Sequence, residues 1–437
     1  MKYPPKAGRF VLGPWVKGLN NVEAQEDLEN SEFAAGLNMV LDKHGEAETR
    51  PGLIQRVVGT NASGFFAVTN SEGIYTDNGD LIRLDARTWT TTTLISGLAE
   101  GRKLSAVVLG PRVYWTNGID YGRIHVPTWE TLEGFGTVNP AVEVTLTPTA
   151  YGDLPAGRYL LALTYVDAWG EESGTTKLHF VELSSQGGIA VALSAPAPAG
   201  VGGVRLYMTE PNGTREELYR VLELDDDETS AVITLREFGQ PISTLFLQPI
   251  PVPDLVTAYN GHLFFAIGSM VWASETMRYG LYHEDFGEIG SYPQDVSVLE
   301  RGHDGVFVSA DRTYSYVGNH PNDFTLLDNV FNYEGVKGSG CQIDRDLFSL
   351  ENVKAKQLPM WFTSRGAVLG MPGGTVMPVS RGRAEPDVYR RGVSGTVEFN
   401  GIETVLTALE ERERPGDAVR LQDTFSATVI KRGLTDA

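Results

Sequence analysis

Apolar and polar residues alternate with a period of two along most of the chain, the pattern of half-buried β-strands. Helical spacing is confined to residues 22–37 (Val22, Leu28, Phe33, Leu37) and 404–412, both short, which are predicted as amphipathic helices. Elsewhere one unit recurs: an apolar strand, a tight turn of Gly, Asn, Asp or Arg, then a second strand carrying an aromatic. The first copy runs Phe65-Phe66-Ala67-Val68, Ile74-Tyr75, Asn78-Gly79-Asp80 and residues 81–84. Asn-Gly favours the positive φ angles that primed hairpin turns require. Further copies centre on Val113-Tyr114-Trp115, on residues 255–267 with Val271-Trp272-Ala273, on 305–317, and on 360–370, and residues 397–400 with 425–431 are expected to supply another. Apart from one long gap the copies are about 40 residues apart, a spacing typical of propeller blades, which must stack because one small sheet cannot bury both its faces. An all-β propeller of about five or six small blades is predicted; a single large β-sandwich is the competing arrangement.

The gap defines the domain organisation: residues 1–137 for an N-terminal arm and the first blades, 138–248 for an inserted domain, and 249–437 for the remaining blades and C-terminal segment. Within the insert, seven short strands are separated by Gly, Pro, Asn and Asp, as in an immunoglobulin-like sandwich. Three features resemble fibronectin type III modules: Ala156-Gly157-Arg158-Tyr159, the corner from Tyr165-Val166-Asp167 to Gly170-Glu171-Glu172-Ser173, and Val204-Arg205-Leu206-Tyr207. That resemblance implies a fold and no chemistry. The insert holds six Lys or Arg against 15 Asp or Glu, a net charge of −9. Its run Glu223-Leu224-Asp225-Asp226-Asp227-Glu228 lacks the alternating oxygens and glycine bend of a calcium loop and reads as a solvated turn.

Charge and composition narrow the function classes. The 49 glycines and 23 prolines fit a turn-rich chain of short strands. A net charge of −20 disfavours a nucleic-acid grip, which needs Lys and Arg for phosphates. One cysteine, Cys341, leaves no intrachain disulfide and no cysteine metal site; it lies in a loop-like Gly338-Ser339-Gly340-Cys341. The opening Met1-Lys2-Tyr3-Pro4-Pro5 has no apolar run of the signal-peptide kind, and no apolar window of about 18 residues predicts a membrane span.

Motifs for chemistry are missing or broken. The sequence contains no phosphate-binding glycine loop, no Gly-x-Ser-x-Gly elbow and no His-Glu-x2-His. The seven histidines are scattered without metal-ligand spacing, and His283-Glu284-Asp285 reads as an exposed loop. Ser309-Ala310-Asp311 begins an Asp-box turn of the sialidase type, but Arg312-Thr313 breaks it where glycine is needed. Arg381, Arg383, Arg390 and Arg391 flank Pro386 in a stretch that reads as an exposed basic loop, open to contact with an acidic neighbour. No cofactor, metal site or hydrolytic activity is expected.

The N-terminal run Gly18-Leu19-Asn20-Asn21, Leu37-Asn38-Met39 and Gly45-Glu46-Ala47-Glu48-Thr49-Arg50-Pro51-Gly52-Leu53 resembles the opening of bacteriophage tail proteins. Ala258-Tyr259-Asn260-Gly261-His262-Leu263, Val271-Trp272-Ala273-Ser274-Glu275 and Asp304-Gly305-Val306-Phe307-Val308 look like blade motifs of that group. The family implied by this resemblance is that of the hub or nozzle proteins of short-tailed phages, from which this chain departs by carrying the fibronectin-like insert. The resemblance implies a structural virion subunit assembled in the host cytoplasm, forming a homo-oligomeric ring, a hexamer, that contacts adaptor and fibre proteins while genomic DNA passes through. Phe10, Val11, Leu12, Trp15 and Val16, ahead of any blade, are the candidate contacts between subunits. A lectin or sialidase-like propeller is the alternative function.

Overall fold

The computed structural model describes residues 56–379 apart from 176, 349 and 351–352, and beyond that span the strands Gly18–Leu19, Glu32–Phe33, Met39–Leu41, Ala47–Thr49, Tyr389–Phe399, Ile402–Glu411 and Ser426–Lys431. The chain is all-β, a propeller-type arrangement of small blades with an inserted sandwich. It divides into two compact units, residues 61–291 and residues 1–60 with 292–437.

Three blades lie in the first unit, each a four-stranded antiparallel meander. The first blade comprises Ala62–Ala67, Glu72–Asp77, Asp80–Asp85 and Thr90–Ile95. The second comprises Ser105–Leu109, Arg112–Thr116, Tyr121–His125 and Glu130–Glu133, and the third Leu255–Tyr259, His262–Ile267, Met270–Ala273 and Glu288–Ser291. Asn78 and Gly79 (φ 49° and 81°) and Asn260 and Gly261 (44° and 81°) make the primed turns their sequences call for. Strand Arg112–Thr116 shows why the blades stack. Its alternate residues Val113 and Trp115 join Ile74 and Leu81 of the first blade in one core, while Tyr114 packs with Val256, Leu263 and Phe265 of the third. Period-two alternation with both phases apolar therefore yields a sheet buried on both sides.

In the second unit, the fourth blade (Val298–Arg301, Gly305–Ser309, Thr313–Val317, Thr325–Phe331) and the fifth (Cys341–Asp344, Gln357–Thr363, Gly366–Gly370, Val376–Pro378) follow the same plan. Trp361 and Val368 of the fifth pack with Val298 and Phe307 of the fourth. The opposite phase, Met360, Phe362 and Leu369, packs with Val405 and Leu409. Those last residues correct one expectation: residues 404–412 are not a helix but belong to the strand Ile402–Glu411, central in a three-stranded sheet with Tyr389–Phe399 and Ser426–Lys431. The buried set is Val405, Thr407 and Leu409, a period of two, and the β-branched Thr404, Val405 and Thr407 favour the extended chain. The other predicted helix, 22–37, lies outside the described residues except for the strand Glu32–Phe33.

The insert is a seven-stranded sandwich. Val144–Leu154, Gly187–Leu193 and Ser230–Ile233 form one sheet; His179–Leu183, Gly157–Asp167, Val201–Met208 and Tyr219–Asp225, in that order, form the other. Inward residues of both sheets, among them Tyr159, Leu161, Ile189, Val191 and Leu206, make a core of the insert's own. Its two ends are tied together, with Asn139 Nδ2 donating to Leu247 O (2.9 Å) and Gln248 Oε1 (3.0 Å).

Candidate functional site

The charged chemistry of the first unit gathers where the insert meets the second and third blades. Strand Tyr121–His125 places Ile124 in the core shared with the first blade and turns Arg123 to the opposite face. Arg123 is 2% exposed, and its partners come from the corner after the insert's long strand Gly157–Asp167. Arg123 donates to Asp167 Oδ2 (2.9 Å), to Glu171 Oε2 and to Gly134 O (3.1 Å). Arg112 donates to the other oxygen of Glu171, and both guanidinium groups lie 5.4 Å from the centre of the Trp169 ring. The corner is locally determined: Asp167 Oδ1 accepts the N–H groups of Trp169 and Glu171, each at 2.9 Å, and Gly170 adopts φ 78°. Burial lowers the Arg123 guanidinium below its ordinary value, against the pull of the Asp167 carboxylate.

Beside this network opens a cleft of about 320 Å³. Its lining includes a crossing of two segments of the chain: a Cβ on Gly136 would lie 2.3 Å from Gly280 O, and one on Gly280 would lie 2.1 Å from Phe135 O, so only glycine fits at either position. Its walls carry Arg205, Arg220, Arg278, Glu172 and Tyr207. Arg205 donates to Glu172 (3.1 Å) and to Glu223, and Arg220 donates to Glu223 (3.0 Å). Burial alone would lower the Arg205 guanidinium, but Glu223 and Glu172 outweigh it and the net shift is upward; the Arg205 hydrogen bond in turn holds the Glu223 carboxyl below its usual range. The Tyr207 hydroxyl donates to Glu172 at 2.6 Å, and burial with that contact raises it well above the ordinary tyrosine value. Arg278 donates to the Ser243 hydroxyl, and no ion pair reaches it among the described residues.

No protein-family model and no curated protein matches the chain. Solved structures similar to it include the N-terminal domain of Nup159, 11% identical over 79% of this chain and 72% of that one with a TM-score of 0.29. BamB from Moraxella catarrhalis is 11% identical over 80% and 81% of the respective chains, with a TM-score of 0.28. At such scores the strand order, not the likeness, carries the fold.

None of the sequence-predicted positions that are described lines this cleft. Phe10, Val11, Leu12, Trp15 and Val16 lie outside the described residues, as do Arg381, Arg383 and the side chain of Arg390; residues 390 and 391 belong to the strand Tyr389–Phe399 rather than to the expected loop, with Arg391 exposed. His283 stacks on Phe286 (4.6 Å between ring centres) and its Nδ1 accepts the Asp285 N–H, a local turn. Asp311 accepts from the Tyr314 hydroxyl (2.8 Å) within the fourth blade. Of the acidic run, Glu223 serves Arg205 and Arg220, and Glu228 accepts the Asp225 N–H. Cys341 is half-buried at the start of its strand. Among the described residues, no group of three or more His, Cys, Asp or Glu is placed to hold a metal, and no helix is long and apolar enough to cross a membrane. The residues that sequence reasoning missed are Arg112, Arg123, Trp169 and Arg278. Arg123 had only a weak signal: a cation between Gly122 and Ile124 in the middle of a short blade strand.

Proposed function

We propose that the protein is a structural subunit of a bacteriophage tail, of the hub or nozzle kind, which assembles as a ring around the DNA path and offers its insert as a platform for neighbouring tail proteins. The observation that carries this reading is the use made of one charged network: the buried pair Arg123 and Asp167, with the half-buried Arg112 and Glu171, holds the insert corner on the second blade. A platform that transmits load between proteins needs such a fixed mount, because inter-domain contacts within a chain are otherwise mobile by default. The net charge of −20 suits a conduit that must not hold DNA phosphates. The resemblance of the N-terminal and blade motifs to those of the hub and nozzle group adds to the same reading. Native mass spectrometry of the purified full chain tests it. A closed oligomer, with six copies expected, that falls to monomers when residues 1–18 are removed fits the proposal; a monomer at all concentrations overturns it.

A further inference from the structure

The cleft between the insert and the third blade is one negative charge short. Its charges pair off in two closed sets. Of the charged residues that line it, Glu171 is taken up by Arg112 and Arg123 of the neighbouring network, which Asp167 also balances, and Arg205 and Arg220 are balanced by Glu172 and by Glu223 just outside the lining. Arg278 remains, met by a serine hydroxyl and by no carboxylate among the described residues. We propose that this cleft binds an acidic saccharide, with Arg278 as the residue that takes a carboxylate borne on a sugar ring.

Three features favour a sugar acid over a bare anion. The volume of about 320 Å³ lies at the lower end of the range for small-molecule sites, far more than an inorganic ion needs and enough for about one or two sugar rings. Each of the three guanidinium groups has five N–H donors, and their contacts within the protein use only a few, so donors are left over for an acceptor-rich ligand. Finally, Met277, 69% exposed, and Tyr279 stand next to Arg278 in the lining and offer apolar surface against which the C–H face of a sugar ring can lie. Tyr207 and Glu172 are committed to each other and hold the wall in place rather than reach for ligand. The proposal stands apart from the assembly reading: a monomer could bind the sugar, and a ring could lack the site.

Calorimetric titration of the full chain tests it with four probes: digalacturonate, the uncharged disaccharide galactobiose, acetate and N-acetylglutamate. Digalacturonate is expected to bind at least about tenfold more tightly than each of the others, the worth of one charge-assisted pair combined with ring contacts. Arg278→Gln is expected to weaken it by about tenfold or more with the thermal midpoint unchanged, and Arg278→Lys to restore part of the loss. Equal binding of galactobiose removes the carboxylate from the argument, equal binding of acetate leaves only an ion site, and equal binding of N-acetylglutamate assigns the cleft to an acidic protein side chain. Any of these, or no binding of digalacturonate, or unchanged affinity in Arg278→Gln, overturns the proposal.

Discussion

Taking the Arg123 guanidinium out of water is tolerable only because its carboxylate partners follow it, so the network is sensitive to the loss of one member. Arg123→Leu leaves Asp167, also buried, without its cation, and the expected loss is about 3–5 kcal/mol, read as a lower denaturant midpoint with an unchanged slope. The double variant Arg123→Leu with Asp167→Asn is expected to recover part of it; a single variant as stable as the parent would remove the mount from the account. A second residue gives a pH dependence. Burial, and then the charge of Lys177, lower the His179 imidazole from its ordinary value of 6.5, with Glu143 opposing. The fold therefore prefers neutral His179, and the unfolded chain takes up the proton first as pH falls. This contribution is fully present above pH 6.5 and is lost as pH drops toward the lowered folded value. Between pH 7.5 and 5.5, roughly the window in which an ordinary histidine titrates, the melting temperature of His179→Gln is expected to fall less steeply than that of the parent. Parallel slopes would show that His179 titrates alike in both states. Neither role was legible in the sequence: Arg123 rests on Asp167 and Glu171, 44 and 48 positions along the chain, and the shift of His179 rests first on burial, which only the folded insert supplies.

At the scale of elements, far more was legible. The blade hairpins lie where alternation and Asn-Gly turns place them, since both signals act between near neighbours in sequence. The failure at 404–412 has the same origin: Val405 and Leu409 fit a helical face as well as every second position of a strand, and only the sheets on either side decide. A second blade signal passed unnoticed. Thr88-Trp89 and Thr128-Trp129 recur at the same turn of the first two blades, with φ of 58° and 61° at the tryptophans, and Arg83 lies 4.4 Å over the Trp129 ring. The insert was legible because its strands read in order, and its core is made of its own residues. Expressed alone, residues 138–248 are therefore expected to unfold cooperatively with heat, with coincident near- and far-ultraviolet circular dichroism transitions. A gradual, non-cooperative melt would mean that the blades complete its core.

For the molecule as a whole, the net charge of −20 sets the terms of any assembly. Like-charged subunits repel one another, and the range of that repulsion shrinks from about 30 Å at 0.01 M salt to about 10 Å at 0.1 M and 3 Å at 1 M. If the ring is held by apolar contacts, as the Phe10, Val11, Leu12, Trp15 and Val16 arm implies, added salt removes the opposing term and leaves the favourable one intact. Assembly is therefore expected to tighten as sodium chloride rises, with the half-assembly concentration in analytical ultracentrifugation falling between low and high salt. A ring joined by complementary charges would respond in the opposite sense, so the sign of the slope separates the two. DNA should follow the same electrostatics. Phosphate binding by basic residues releases counterions and is strongest at low salt, whereas an acidic surface repels duplex most strongly there. Duplex DNA mixed with the protein at low ionic strength is accordingly expected to pass through a filter unretained. Retention that disappears as salt is added would reveal a basic track along the DNA path and remove the electrostatic argument for a conduit.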